Sequence, residues 1–147
     1  MYTVQRSALV LHSAENMAML VNDVDRYDEF LPWCGGSRVL SRGENEMTAI
    51  VTIAFKGIRK SFTTKNQMIG NEQTLMALVD GPFESLWGCW TYKPLEENAS
   101  KIALDLKFDF SSPIVGRVIG PVFKSIADSM VASFCDRADQ IYHKEKE

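Results

Sequence analysis

The side chains that carry out acid–base, nucleophilic or metal chemistry are few in this chain and poorly spaced for it. General acid–base catalysis needs a titratable pair held in a concave site, yet the two histidines stand apart, His12 after the first strand pattern and His143 in a charged tail. Neither has a spacing that couples it to a nucleophile, so structural or solvated roles suit both better. Ser111, Ser112 and Ser129 lack the Gly-x-Ser-x-Gly setting of an activated hydroxyl, and Gly-rich phosphate loops, His-Glu-x-x-His and calcium-loop patterns are absent. Cys34, Cys89 and Cys135 are odd in number, far apart and without a Cys-x-x-Cys pair, which points to reduced thiols in a reducing compartment and against a zinc site. What the chain does offer is recognition chemistry: apolar and aromatic side chains, some with a polar tip.

The densest such stretch is residues 24–34, where Tyr27, Phe30, Leu31 and Trp33 crowd an acidic segment limited by Pro32. Asp25 is expected to cap a short helix in which Tyr27, Phe30 and Leu31 fall at i, i+3 and i+4 on one face. Pro32 should end it by biasing Leu31 away from the helical region, and Trp33-Cys34-Gly35-Gly36 then reads as a turn into a strand. Such a segment either plugs the end of a hydrophobic core or closes over a ligand.

The elements that must position these groups follow from periodicity. Residues 2–11 read as a strand, and Ser13 offers an N-cap for a helix of about ten residues with Met17, Leu20, Val21 and Val24 on one face. From residue 37 the period is two: 47–55 alternates cleanly, Lys56-Gly57 makes a tight turn into 58–67, and Gly70-Asn71-Glu72 separates that from 74–79. In 84–92, Leu86, Gly88, Trp90 and Tyr92 share a face that Trp87 opposes, and Gly88 leaves space beside large aromatics as in a cavity wall. Trp90 and Tyr92 there could orient the carbonyl of a quinone or polyketide. Ile102, Leu104, Leu106, Phe108 and Phe110 form the dry side of the next strand, with Asp105 and Asp109 on the wet side, as in an antiparallel sheet covered on one face.

After Ser111-Ser112-Pro113 the period returns to 3.6, and Val115, Ile119, Val122, Ile126, Met130, Phe134 and Ile141 make one long stripe. Pro121 predicts either a kink or a separate short helix over 114–120. Gly116 and Gly120 suit close packing of backbone on a sheet better than a membrane dimer motif, because charged residues interrupt the surface. A curved sheet wrapped around this helix leaves either plain core or, where curvature opens a gap, an apolar cavity with its mouth near the short helices. Phe123, Met130 and Phe134 could adapt to a flexible lipid-like guest.

Composition bounds the rest. The 147 residues, 46% hydrophobic and 24% charged, suit one domain over 1–147. A net charge of -3 opposes general nucleic-acid binding, and no DNA partner is expected. Lys56, Arg59, Lys60 and Lys65 form the one basic cluster, either solvated strand residues or a phosphate contact. The N-terminus lacks a presequence pattern and no uncharged apolar run approaches ~18 residues, so a cytoplasmic location is expected.

The run Asn22-Asp23-Val24-Asp25-Arg26-Tyr27-Asp28-Glu29-Phe30-Leu31-Pro32-Trp33-Cys34 is similar to that of a known family, as are Gly81-Pro82-Phe83, Leu86-Trp87-Gly88-Cys89-Trp90 and Gly120-Pro121-Val122-Phe123. With these motifs nearly the whole chain resembles the coenzyme Q-binding START-like family of the polyketide cyclase/dehydrase and lipid transport superfamily, nearest its bacterial ribosome association toxin branch. Asp28 stands where relatives commonly have Pro. The resemblance implies an α+β helix-grip (START-like, Bet v 1-like) fold, a curved antiparallel sheet of about seven strands around a long C-terminal helix, with an apolar tunnel between them. It implies Phe30, Leu31, Pro32 and Trp33 at the tunnel mouth, Phe83, Leu86 and Trp90 on the sheet wall, and Phe123 with Met130 on the helix. Tyr27, Tyr92, Leu106, Phe108, Ile126 and Phe134 complete the expected ligand-binding set, with no catalytic or metal residues. The implied function is non-enzymatic binding of ubiquinone, a precursor or a related polyprenyl quinone as a lipid chaperone supporting respiration, with no cofactor required. The bacterial cytoplasm and the periphery of the inner membrane, touched transiently, are the implied places of work. A ribosome association toxin that binds the large ribosomal subunit through Lys56, Arg59, Lys60 and Lys65 is the alternative, and an aromatic polyketide cyclase/dehydratase a second.

Overall fold

The computed structural model describes residues 2–142. Strand β1 (Tyr2–Val10) leads into helix α1 (Ala14–Asn22) and a 3-10 helix (Val24–Glu29). Six strands follow in succession, β2 (Cys34–Arg42), β3 (Glu46–Phe55), β4 (Ile58–Ile69), β5 (Gln73–Asp80), β6 (Phe83–Glu96) and β7 (Ala99–Phe110), and α2 (Pro113–Tyr142) closes the fold. The sheet runs β1-β7-β6-β5-β4-β3-β2 with every pair antiparallel, so β2 to β7 form a meander and β1 adds beside β7. This is the helix-grip arrangement expected above.

Local chemistry explains the boundaries. The Ser13 hydroxyl accepts from the Asn16 N–H at 3.0 Å at the start of α1, and Ser112 Oγ accepts from the Val115 N–H at 3.2 Å at the start of α2. Lys56 and Gly57 both take positive φ, 51° and 81°, the left-handed pair whose twist matches a two-residue hairpin between β3 and β4. That turn sets the register Val51 opposite Phe62 and Ala49 opposite Thr64.

One alternative is removed and one expectation corrected here. Helix α2 runs unbroken through Pro121, without a separate helix over 114–120, because Pro121 lies on the exposed side while Ile119, Gly120, Val122 and Phe123 are buried around it. Asp25 is not a cap. The 3-10 helix begins after Asp23, with no side-chain cap, and the Asp25 carboxylate instead accepts from the Val39 N–H at 2.8 Å on the edge strand β2.

The core lies between the concave sheet face and α2. Its aromatic rings form two groups. Phe134, fully buried, packs edge-on against Tyr27, Phe30 and Trp90 at centroid distances of 5.4, 5.1 and 5.1 Å. Further toward the N-terminal end of α2, Phe123 meets Phe83 and Phe108, both at 4.8 Å, while Phe83 stacks on Phe110. Gly116 and Gly120 face the Phe110 ring. By length and composition α2 could cross a bilayer, yet its inner face is packed on the sheet.

His12 is structural. It is buried, its Nε2 lies 2.7 Å from Asp139 Oδ1 near the end of α2, and its carbonyl accepts from Ser100 Oγ. His143 lies outside the described residues. Cys34, Cys89 and Cys135 are free, and burial raises the Cys34 and Cys135 thiols above their ordinary values, so both stay protonated at neutral pH.

Candidate functional site

Between the two aromatic groups the sheet and helix do not fully meet. They leave a cavity of about 70 Å³. Its wall comes from every layer of the fold: Val24, Tyr27 and Trp33 from the segment before β2, Ala49 and Val51 from β3, Phe62, Thr64 and Asn66 from β4, and Met76 from β5. Leu86, Gly88 and Trp90 of β6, Leu104 and Leu106 of β7, and Phe123, Ile126, Ala127 and Met130 of α2 complete it.

The space is narrower than the tunnel expected from the resemblance. Its volume is below the roughly 150 Å³ that admits a benzene ring in an engineered apolar cavity. The reason is visible at Gly88, which sits between Met76 of β5 and Leu106 of β7 in the cross-strand register. A Cβ there would lie 2.5 Å from Met76 Cε and 2.8 Å from Leu106 Cδ2, so these two side chains already fill the notch that the glycine opens. Met76 and Met130 are half-buried, unbranched thioethers, the side chains that most readily give way to a guest.

The segment 24–33 forms a strap along the cavity, and it is fastened. Arg137 of α2 donates to Glu29 at 2.7 Å and lies 5.1 Å above the Phe30 ring. The Tyr27 hydroxyl donates to the Val21 carbonyl, and Ser37 Oγ donates to the Val24 carbonyl at 2.6 Å. Polar groups on the wall are few: Thr64 donates to Asn66 Oδ1 at 2.8 Å, and Trp33 Nε1 is buried without a partner among the described residues. The Tyr27 phenol is the only ionisable group among the lining residues, and burial drives it far toward its neutral form, with Tyr92 and Asp23 adding to the shift. Among the described residues no group of His, Cys, Asp and Glu is arranged to hold a metal ion.

Residues 10–135 match the family model described as polyketide cyclase / dehydrase and lipid transport. The chain belongs to this family. A relative named ribosome association toxin RatA from Vibrio cholerae is 49% identical over 142 residues, covering 97% of this chain and 99% of that protein. The mitochondrial coenzyme Q-binding protein COQ10 homolog B from Xenopus laevis is 28% identical over 138 residues, 91% of this chain and 57% of that one. Among solved structures, the Zhui aromatase/cyclase from a Streptomyces species superposes with a TM-score of 0.84 over 95% of this chain and 94% of the other, at 12% identity, a likeness of fold alone.

In this member of the lipid transport family, the structure brings Tyr27, Trp33, Leu86, Trp90, Leu106, Phe123, Ile126 and Met130 together on the cavity wall. The other predicted lining residues lie elsewhere. Phe30 and Phe134 pack in one aromatic group, and Phe83 and Phe108 in the other, behind Phe123. Leu31 is buried in the core and Pro32 is exposed. Tyr92 donates its hydroxyl to Thr74 at 2.9 Å, and Thr74 in turn donates to Asn22, so its polar tip is already committed. Val24, Ala49, Val51, Phe62, Thr64, Asn66, Met76, Leu104 and Ala127 were absent from the expected set. For the β3 and β4 members a signal existed: the Lys56-Gly57 turn dictates the pairing that carries Phe62, Thr64 and Asn66 onto the dry face with Val51, Ala49 and Met47.

The basic cluster is dispersed. Arg59 and Lys65 stand opposite Ala54 and Thr48 on the outer face, whereas Lys60 is opposite the buried Ile53 and Lys56 sits in the turn, 5.3 Å from its own neighbour's ring at Phe55. Lys65 also pairs with Glu46 at 3.4 Å. The two indoles of β6 do face opposite sides: Trp90 is 1% exposed, whereas Trp87 is 43% exposed, with the Lys107 ammonium 5.9 Å from its ring. Trp90→Ala should therefore cost about 3–5 kcal/mol in urea unfolding and weaken ligand retention, against no more than about 1 kcal/mol for Trp87→Ala. Equal losses would contradict this register.

A pH dependence follows from the buried phenols. Burial raises both Tyr27 and Tyr92 above the ordinary value of 10.0. Above that value the unfolded chain releases phenolic protons that the folded chain keeps. Stability is therefore intact below about pH 10 and falls above it, by up to about 1.4 kcal/mol per pH unit for each tyrosine. Phenolate absorbance should accordingly show these two tyrosines ionising only as the protein unfolds; their titration in the folded state near 10 would exclude the buried hydrogen bonds.

Proposed function

We propose that the protein binds the ring of an isoprenoid quinone, ubiquinone or a precursor, between its sheet and long helix, and acts as a non-enzymatic lipid chaperone supporting respiration. The observation that carries this is the cavity of about 70 Å³ between sheet and helix, apolar except for Tyr27, Trp33, Thr64 and Asn66, in a chain of the lipid transport family. Likeness to a relative named for coenzyme Q binding supports the choice of ligand. A ring enters as Met76 and Met130 swing aside, the tail leaving past the strap, so binding requires an expanded state of the cavity. Such a carrier works in the bacterial cytoplasm and meets the inner membrane only transiently. Organic extraction and mass spectrometry of the protein purified from a bacterial host should recover a polyprenyl quinone. Finding none, with no uptake of added ubiquinone, would remove the proposal.

A second reading is favoured by a separate observation: the 49% identical relative, matched over nearly the full length of both chains, is named a ribosome association toxin. Under it the protein docks on the large ribosomal subunit and blocks subunit joining. Overexpression followed by sucrose-gradient profiling should then show free subunits accumulating, and an unchanged profile excludes this role. The two functions are compatible, since one uses the interior and the other the surface. The cyclase activity named for the structural neighbour would need an acid–base pair at the ligand, and the wall offers only the neutral Tyr27 phenol, already donating to Val21.

A further inference from the structure

The indole of Trp33 has a combination of properties that its neighbours on the wall lack. It lines the cavity, it is 5% exposed, and its Nε1–H is buried with no hydrogen-bond partner among the described residues. The Tyr27 and Thr64 hydroxyls on the same wall have already donated their protons, to Val21 and Asn66. Buried donors are rarely left unpaired, because losing water without gaining an acceptor is costly. Nor is this one loosely held. The Trp33 carbonyl accepts from the Ala54 N–H at 2.8 Å, and the next residue's N–H, at Cys34, donates to the Leu31 carbonyl at 2.9 Å, so the peptide group that follows the indole is tied down at both its oxygen and its nitrogen.

We infer that the Trp33 N–H is the specificity-determining donor of this cavity: it pairs with a carbonyl oxygen of the bound ring and so selects carbonyl-bearing apolar rings over hydrocarbons of the same shape. The inference rests on the binding reading above and deepens it, naming the chemical group the site recognises. A hydrocarbon ring would fill the same space yet leave the indole proton unpaired, whereas a ring carbonyl satisfies it without placing a charge in the cavity.

Two probes isolate the effect: duroquinone (tetramethyl-1,4-benzoquinone) and durene (1,2,4,5-tetramethylbenzene), which share their methyl groups and differ in the carbonyls. In the nitrogen-15-labelled full chain, each of the 3 tryptophans contributes one indole N–H resonance, and that of Trp33 is assigned by through-bond and NOE spectra. Duroquinone should move the Trp33 resonance downfield and durene should not. By calorimetry, duroquinone should bind more tightly than durene, and Trp33→Phe should lower duroquinone affinity about tenfold relative to its effect on durene affinity. The titration of the natural chain stands by itself should Trp33→Phe fail to fold. A bound duroquinone that leaves the Trp33 resonance in place, or equal affinities for the two probes, overturns the assignment of the donor while the cavity reading survives. If the natural chain binds neither probe, both the donor and the cavity reading fall.

Discussion

Phe134→Ala should lower the unfolding free energy by about 4 kcal/mol, with a fall in Tm of roughly 8–16 °C. Phe134 is fully buried on α2, and its ring is met edge-on by Tyr27 and Phe30 of the strap and by Trp90 of β6, all within 5.4 Å. Removing it deletes a large apolar surface and three aromatic pairs at once. The space cannot collapse easily, because its ring neighbours belong to two separately anchored elements, the strap and β6. Phe134→Leu keeps most of the volume and should lose only about 1–1.5 kcal/mol. Urea unfolding of the two variants decides between packing and a lesser role: a loss below about 1 kcal/mol for the alanine variant would mean that the strap is not held by this ring. Arg137 should then be the main tie, through Glu29 and the Phe30 face.

Ala127→Leu should abolish ligand binding, by about a hundredfold or more, at little cost in stability. Ala127 is 1% exposed on α2 and lines the cavity between Phe123 and Met130. Three added carbons would occupy a space of about 70 Å³ that a ring must otherwise enter. Filling a void adds contacts while crowding strains rotamers, and the two effects should offset to within about 1 kcal/mol. Met76→Ala changes the same site in the opposite sense. Removing the methyl group that fills the notch at Gly88 should cost about 2 kcal/mol in stability and strengthen the binding of decylubiquinone. Calorimetric titration of both variants tests the site directly. If Ala127→Leu binds as the natural chain does, the ligand lies elsewhere.

Much of the architecture was legible in the residues. Alternation over β3, β6 and β7 identified the dry face, and Ile102, Leu104, Leu106, Phe108 and Phe110 are all buried as that pattern requires. Ser13 and Ser112 announced the two α-helices, and Lys56-Gly57 announced the hairpin, because caps and positive-φ turns depend on a few adjacent atoms. The strap was harder. Its aromatics were evident, but Asp25 found a strand N–H at Val39 in place of a helix N-terminus, a partner fourteen positions away whose approach depends on how β2 pairs at the sheet edge.

The sequence by itself determined which side chains turn inward, since that follows from periods of 2 and 3.6 along each element. Only the tertiary structure decided which inward residues face open space and which face one another. Leu106 and Phe108 share one face of β7, yet the first borders the cavity and the second lies beneath Phe123. The gap between sheet and helix varies along its length with the curvature of the sheet and with the bulk of side chains from strands far apart in the chain. The same cause lets Met76 and Leu106 fill the notch at Gly88 and leaves the buried Trp33 N–H without an acceptor among the described residues. Both are outcomes of three-dimensional packing that no single segment encodes.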